Sequence, residues 1–326
     1  MQAWADYLFA ERLRALVNGK EIQSADRARV IDVLTLKASN KRVQFDVVPF
    51  LYENIRLARE NPKNARPPDT LIAFRMLDHL DWVAFKRDPS RLKFNTPVET
   101  LKASLRPAAE AFLNSQYANP AVLHREAASL GIQALLFRFT TSWHRDKKKR
   151  DVKRILAELL DFCLSHLGYL PMTELGLVWS GIRTKQIAPF FGPVINPSKK
   201  IFDDIRGMAW DMSHLRLMEQ TALQSSLGSF FIPHFVSLDE RWRKLLHLNP
   251  IRLMMIDDSR KSMLFARANE LAFQTVCNEV AGAKLLAEQT PAKIEARRRT
   301  AQSLDADAMQ QLVLQEERAW LQTKPA

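Results

Sequence analysis

Four carboxylates stand where this sequence could use them for chemistry. Asp46 lies near the end of an apolar run, VQFDVVPF, and Asp239 directly follows a second, FFIPHFVSLDERW, where a strand-like pattern changes to a helical one. In open α/β folds ligands sit outside the carboxyl ends of the strands, which is where both acids fall. Asp211 is embedded in the helical stretch MAWDMSHLR, and Glu174 heads another, TELGLVW, after the turn GYLP. Acids gathered at one place repel one another, and without a cation some take up protons. A hard divalent ion, Mg2+ or Mn2+, resolves the conflict because it prefers oxygen ligands. Such an ion activates a bound water and offsets the charge that builds on a phosphate during attack. Each acid also has a plainer reading. Asp239 suits a helix N-cap, Glu174 suits the positive end of a helix, and Asp211 suits a pair with Arg206 or Arg216.

The charge balance adds a partner to that chemistry. The 326 residues hold 48 Lys plus Arg against 36 Asp plus Glu, a formal charge of +12 that favours a polyanion. Much of the excess is local: RDKKKRDVKR, residues 145–154, has seven basic residues against two acidic ones. Lys147, Lys148, Lys149 and Arg150 are therefore candidate phosphate contacts, joined by Arg216 close to Asp211 in sequence. A solvated helix face is the alternative for the run. Trp143 and His144 precede it, as stacking platforms for bases or as packing anchors.

Composition also excludes. Only nine glycines occur, none between Gly19 and Gly131, and there is no GxGxxG, GxxxxGK[ST] or GxSxG. This argues against dinucleotide-binding dehydrogenases, P-loop NTPases, kinases and α/β-hydrolases. The seven histidines show no zinc spacing, and Cys163 and Cys277 are isolated, as buried thiols of a reducing compartment would be. Asp6, Glu11 and Arg12 break the apolar core of a secretory leader. No uncharged apolar run reaches the roughly 18 residues of a membrane span. The expectation is a soluble, cytoplasmic protein.

The elements that must position these acids follow from periodicity. Residues 1–38 read as helical, 42–48 as a buried strand, 50–60 as a helix with Pro49 in its first turn, and 61–70 as a Pro-rich loop. From 70 to 165 the pattern is mostly helical. Helices follow at 152–167, from Met172 and over 201–224, then a β-like run at 230–238 and a strong helix at 262–288. The polar tail, 290–326, is helix-prone. Few strands among many helices suit a parallel α/β sheet with helical insertions.

The segment Ala209-Trp210-Asp211, some twenty residues, then IPHFVSLD ending at Asp239, resembles the C-terminal half of a PIN-like domain. That resemblance implies an α/β/α fold on a parallel sheet and a metal-dependent nuclease acting mostly on RNA. It implies Asp46, Glu174, Asp211 and Asp239 as the catalytic and metal-binding acids. Val48 departs from the family, which carries a small polar residue two places after its first Asp. The expected organisation is an N-terminal helical segment (1–40), a PIN-like domain (41–260) with a helical insertion at about 65–165, and a C-terminal helical segment (261–326). The expected function is Mg2+- or Mn2+-dependent phosphodiester hydrolysis, most naturally in RNA; an inhibitory protein partner and the oligomeric state stay open. The alternative is a non-catalytic helical adaptor that binds nucleic acid or protein through a basic surface.

Overall fold

The computed structural model describes residues 2–323 apart from 41–42, 62, 146–150, 186, 223–224, 227–228, 231–233, 258 and 260–261. Along the chain it runs β1 (Gln2–Ala5), α1 (Tyr7–Val17), α2 (Ser24–Ser39), β2 (Gln44–Asp46), α3 (Val48–Glu60), α4 (Arg66–Met76), α5 (Trp82–Arg87) and α6 (Val98–Tyr117). Then come α7 (Pro120–Arg145), α8 (Val152–Phe162), α9 (Met172–Thr184), α10 (Ala188–Ile195) and α11 (Ile201–Ala222), and the short strands β3 (Ser225–Ser226), β4 (Ser229–Phe230) and β5 (His234–Val236). The chain ends with α12 (Glu240–Leu248), β6 (Ile251–Asp257), β7 (Ser262–Arg267), α13 (Glu270–Ala287), α14 (Pro291–Ser303) and α15 (Ala306–Thr323).

This architecture overturns the expected PIN-like α/β/α domain. About 75% of the protein is helical, and its longest strands, β6 and β7, form a two-stranded antiparallel ribbon. Among the described residues parallel pairing is confined to β2-β1-β5, strands of three or four residues each. The resemblance rested on short acid-bearing segments, and helices supply most of the surrounding scaffold.

Two compact units divide the chain, one of residues 1–126 with 232–240, the other of 127–231 with 241–326. In the first unit α1 buries Phe9, Leu13, Leu16 and Val17 along one stripe. These meet Leu34 of α2, Phe50 and Leu51 of α3, and Phe74 and Met76 of α4 in one apolar core. Aromatic rings tie the sheet to the helices: Phe45 of β2 lies 5.8 Å from Phe9 and 6.3 Å from Phe74, centroid to centroid. Asp6 caps α1 by accepting from the Phe9 N–H at 2.7 Å. Gly19, at φ +67°, ends the run after α1 in a conformation that favours glycine.

Several expected elements shift, for identifiable reasons. Residues 2–5 form a strand, not a helix, because the backbone of β1 is paired on both sides, by β2 and by β5. The Pro-rich stretch expected as a loop begins α4 at Arg66, with prolines in the first turn, where no N–H is needed. The strong helix expected from 262 begins only at Glu270, because residues 262–267 pair with β6. In the second unit Phe139, Phe190 and Phe191 are buried and cross edge-to-face, as expected of core aromatics. Among the described residues no helix is long and apolar enough to cross a membrane.

Candidate functional site

The three parallel strands of the first unit end at one edge, and acids collect there. β1 pairs with β2 on one side and with β5 on the other, all in the same direction, so Asp6, Asp46 and Asp239 follow the carboxyl ends of neighbouring strands. Strands in a sheet stand about 4.8 Å apart, so the flanking strands β2 and β5 are roughly 10 Å from each other. Asp6 is buried, and its own N–H continues the pairing to the Val236 carbonyl at 3.1 Å. Asp46 accepts from the Val48 N–H at 2.9 Å, which turns the chain from β2 into α3. The Asp239 N–H donates to Ser237 Oγ at 3.0 Å, immediately before α12.

A fourth acid, Glu53 of α3, completes this edge. Its carboxyl accepts from the Tyr7 N–H and lies close enough to Asp239 to feel its charge. Burial pushes its pKa up to about 8, the Tyr7 N–H opposes the rise, and Asp239 adds to it. At neutral pH this carboxyl therefore keeps its proton beside a neighbouring acid. Tyr52, on the same helix, has its hydroxyl raised by burial; Arg125 opposes that rise and Asp46 adds to it. Side chains able to hold, give and take protons thus meet with an arginine at the end of a parallel sheet.

The four acids singled out from the sequence do not share one unit. Asp46 and Asp239 belong to the first and stand at the same sheet edge. Glu174 and Asp211 belong to the second. Glu174 is fully buried in the first turn of α9 and paired with Arg216 of α11 at 3.4 Å. Arg216, expected to engage phosphate, serves that buried acid and lies over the Tyr169 ring at 5.9 Å. Asp211 is half-buried on α11, and its neighbour His214 is buried and stacked on Trp210 at 5.7 Å. Trp143 is buried against Phe139 at 6.0 Å, the packing anchor of the two readings. Lys147, Lys148, Lys149 and Arg150 lie outside the described residues.

Among the described residues no group of three or more His, Cys, Asp or Glu is arranged to hold a metal ion. Sequence reasoning missed Asp6 and Glu53. The signal for Asp6 was the small apolar segment Gln2-Ala3-Trp4-Ala5 ending in an acid, the same form that marked Asp46. Glu53 carried a weaker one: it follows Asp46 by seven residues, two helical turns, on the helix that leaves β2.

No family model matches the chain, and no curated protein or solved structure matches it.

Proposed function

We propose that the protein is a hydrolase of nucleic-acid phosphodiesters, with RNA as substrate, working at the carboxyl edge of the β2-β1-β5 sheet. The observation that carries this reading is the Glu53 carboxyl, raised to about 8 beside Asp239 where the strands end. Two carboxyl groups with proton affinities pushed apart are the usual requirement for paired acid and base catalysis. Glu53 holds a proton at neutral pH and gives it to the departing oxygen. A neighbouring carboxylate, Asp239 or Asp46, takes one from the attacking water, which becomes the new phosphate oxygen. Arg125, beside Tyr52, offsets charge on the phosphate, and the formal charge of +12 draws a polyanion to the protein. The buried free thiols Cys163 and Cys277 fit a reducing compartment, the cytoplasm.

A second reading has its own support. Glu174 is neutralised by Arg216, and the expected four-acid centre is divided between the units. A non-catalytic RNA-binding protein fits those facts.

Labelled RNA, incubated with Mn2+ or with EDTA, separates the two. Cleavage that drops at least 100-fold in Glu53→Gln and in Asp239→Asn supports the hydrolase, general acid–base groups contributing about 10²–10⁴. Loss with EDTA shows that cleavage needs a divalent metal and overturns a step carried by the carboxyl groups alone. RNA retained but uncut identifies a binding protein. Cleavage unchanged by both substitutions overturns the assignment of the edge.

A further inference from the structure

The second unit holds a pocket of about 470 Å³ between α9, α11, β7 and α13, within the range of small-molecule sites. Its lining mixes charged and polar side chains with an apolar part that includes Phe265 of β7 and Phe273 of α13. Phe273 is buried and braced by Trp179, 5.4 Å away between centroids. Asn249, in the turn after α12, also lines the pocket and is 95% buried, at 5% exposure. Its Oδ1 is buried with no hydrogen-bond partner among the described residues. A buried carboxamide oxygen left unmatched is costly, so a ligand that donates to it is favoured. Asn249 Nδ2 and the Phe273 ring both rest over Gly176 of α9, each 3.5 Å from where a Cβ there would stand. The aromatic wall and the carboxamide are therefore adjacent.

Charge narrows the ligand. The two guanidinium groups in the pocket are each matched by an acid, Arg216 by Glu174 and Arg267 by Glu219. Arg267 also donates to the Asn249 carbonyl, and its own N–H to Glu270. A phosphate or carboxylate would have to break one of these pairs, whereas a neutral ligand need not. The Asn249 carboxamide offers an acceptor beside a donor, the pattern that pairs bidentately with N6 and N7 of adenine. Flat aromatic walls suit the faces of such a ring.

The geometry points to a binding site for a neutral adenine base in this pocket, with Asn249 reading the edge and Phe265 and Phe273 holding the faces. It shares no residue with the acid edge and stands whether or not that edge cleaves RNA.

The test is titration of the full chain with free adenine, followed by calorimetry and by thermal unfolding, with uracil and inorganic phosphate as comparison ligands. The expected result is one adenine per chain and a Tm that climbs with adenine concentration. Affinity should fall at least tenfold in Asn249→Leu. Phe265→Ala, a change at a half-buried strand position, should weaken binding similarly and serves should the Asn249 variant not fold. No adenine binding, binding untouched by both substitutions, or uracil or phosphate bound as tightly as adenine would overturn the assignment.

Discussion

Glu53 and Glu174 are both glutamates drawn inward on helices, and their surroundings treat them in opposite ways. Glu174 has a guanidinium facing it across 3.4 Å, with Tyr169 beside the pair. Glu53 has a backbone N–H and another acid, and its proton affinity rises to about 8. A carboxylate matched by arginine is spent on structure. One raised by burial beside another acid keeps a proton that can be passed on. This is why the first unit, not the second, holds the candidate for chemistry, although the sequence offered acids in both.

The contrast can be broken at four places. The largest effect is expected from Arg216→Ala, which strips the partner from a fully buried acid. Loss of one member of a buried pair costs about 3–5 kcal/mol, read as a lower urea midpoint, whereas the double change Glu174→Met with Arg216→Leu should be far milder. If the single change is harmless, Glu174 is not held as described.

Glu53→Gln comes next and acts through pH. The folded carboxyl sits near 8 against an ordinary value of 4.5, so the folded state binds the extra proton between them. Wild-type stability is unpenalised below about pH 4.5, falls as pH rises through that window, and reaches its full loss above about 8. Glutamine cannot ionise, so the variant should lack this decline and be more stable than wild type at pH 9, by a few kcal/mol at roughly 1.4 kcal/mol per tenfold change. Thermal unfolding across pH 4–9 measures it. Identical pH profiles would remove Glu53 from the account.

Asp239→Asn should move the same decline to slightly lower pH, because Asp239 adds to a rise caused mainly by burial. A shift of the decline to higher pH would contradict the placement of Asp239 beside Glu53. The smallest effect belongs to Asp46→Ala, which removes the carboxylate that accepts from the Val48 N–H. About 1 kcal/mol of stability is expected to go, measured by denaturant unfolding.

What was legible in the sequence divides along a physical line. Helices with long apolar stripes, such as α1 and α8, announce themselves through periodicity, and so does α3 behind Pro49. The strand ends at Asp46 and Asp239 were visible because Val, Phe and Ile cluster ahead of an acid. β1 was not, since four residues carry no measurable period and merge with the helix that follows. Missing the central strand meant missing Asp6, the acid that follows the strand pairing with both β2 and β5. Glu53 was illegible for another reason: only tertiary burial sets its proton affinity. The PIN-like resemblance failed because short acid motifs say nothing of how many strands surround them. The ribbon β6–β7 escaped because its apolar residues Leu253, Met254, Met255 and Ile256 sit on both faces and give no alternation.

The return of the chain to the first unit has a consequence during synthesis. β1 is made long before the strand that closes its second side, β5, which ends only at Val236. At elongation rates of about 5–20 residues per second, that interval lasts on the order of tens of seconds. Throughout it one flank of β1 offers unsatisfied amides to any passing strand. The nascent protein is thus open to misassociation at the strand that is later paired on both sides. The carboxyl edge bearing Asp239 forms only once synthesis has passed Asp239, long after β1 and β2 are made.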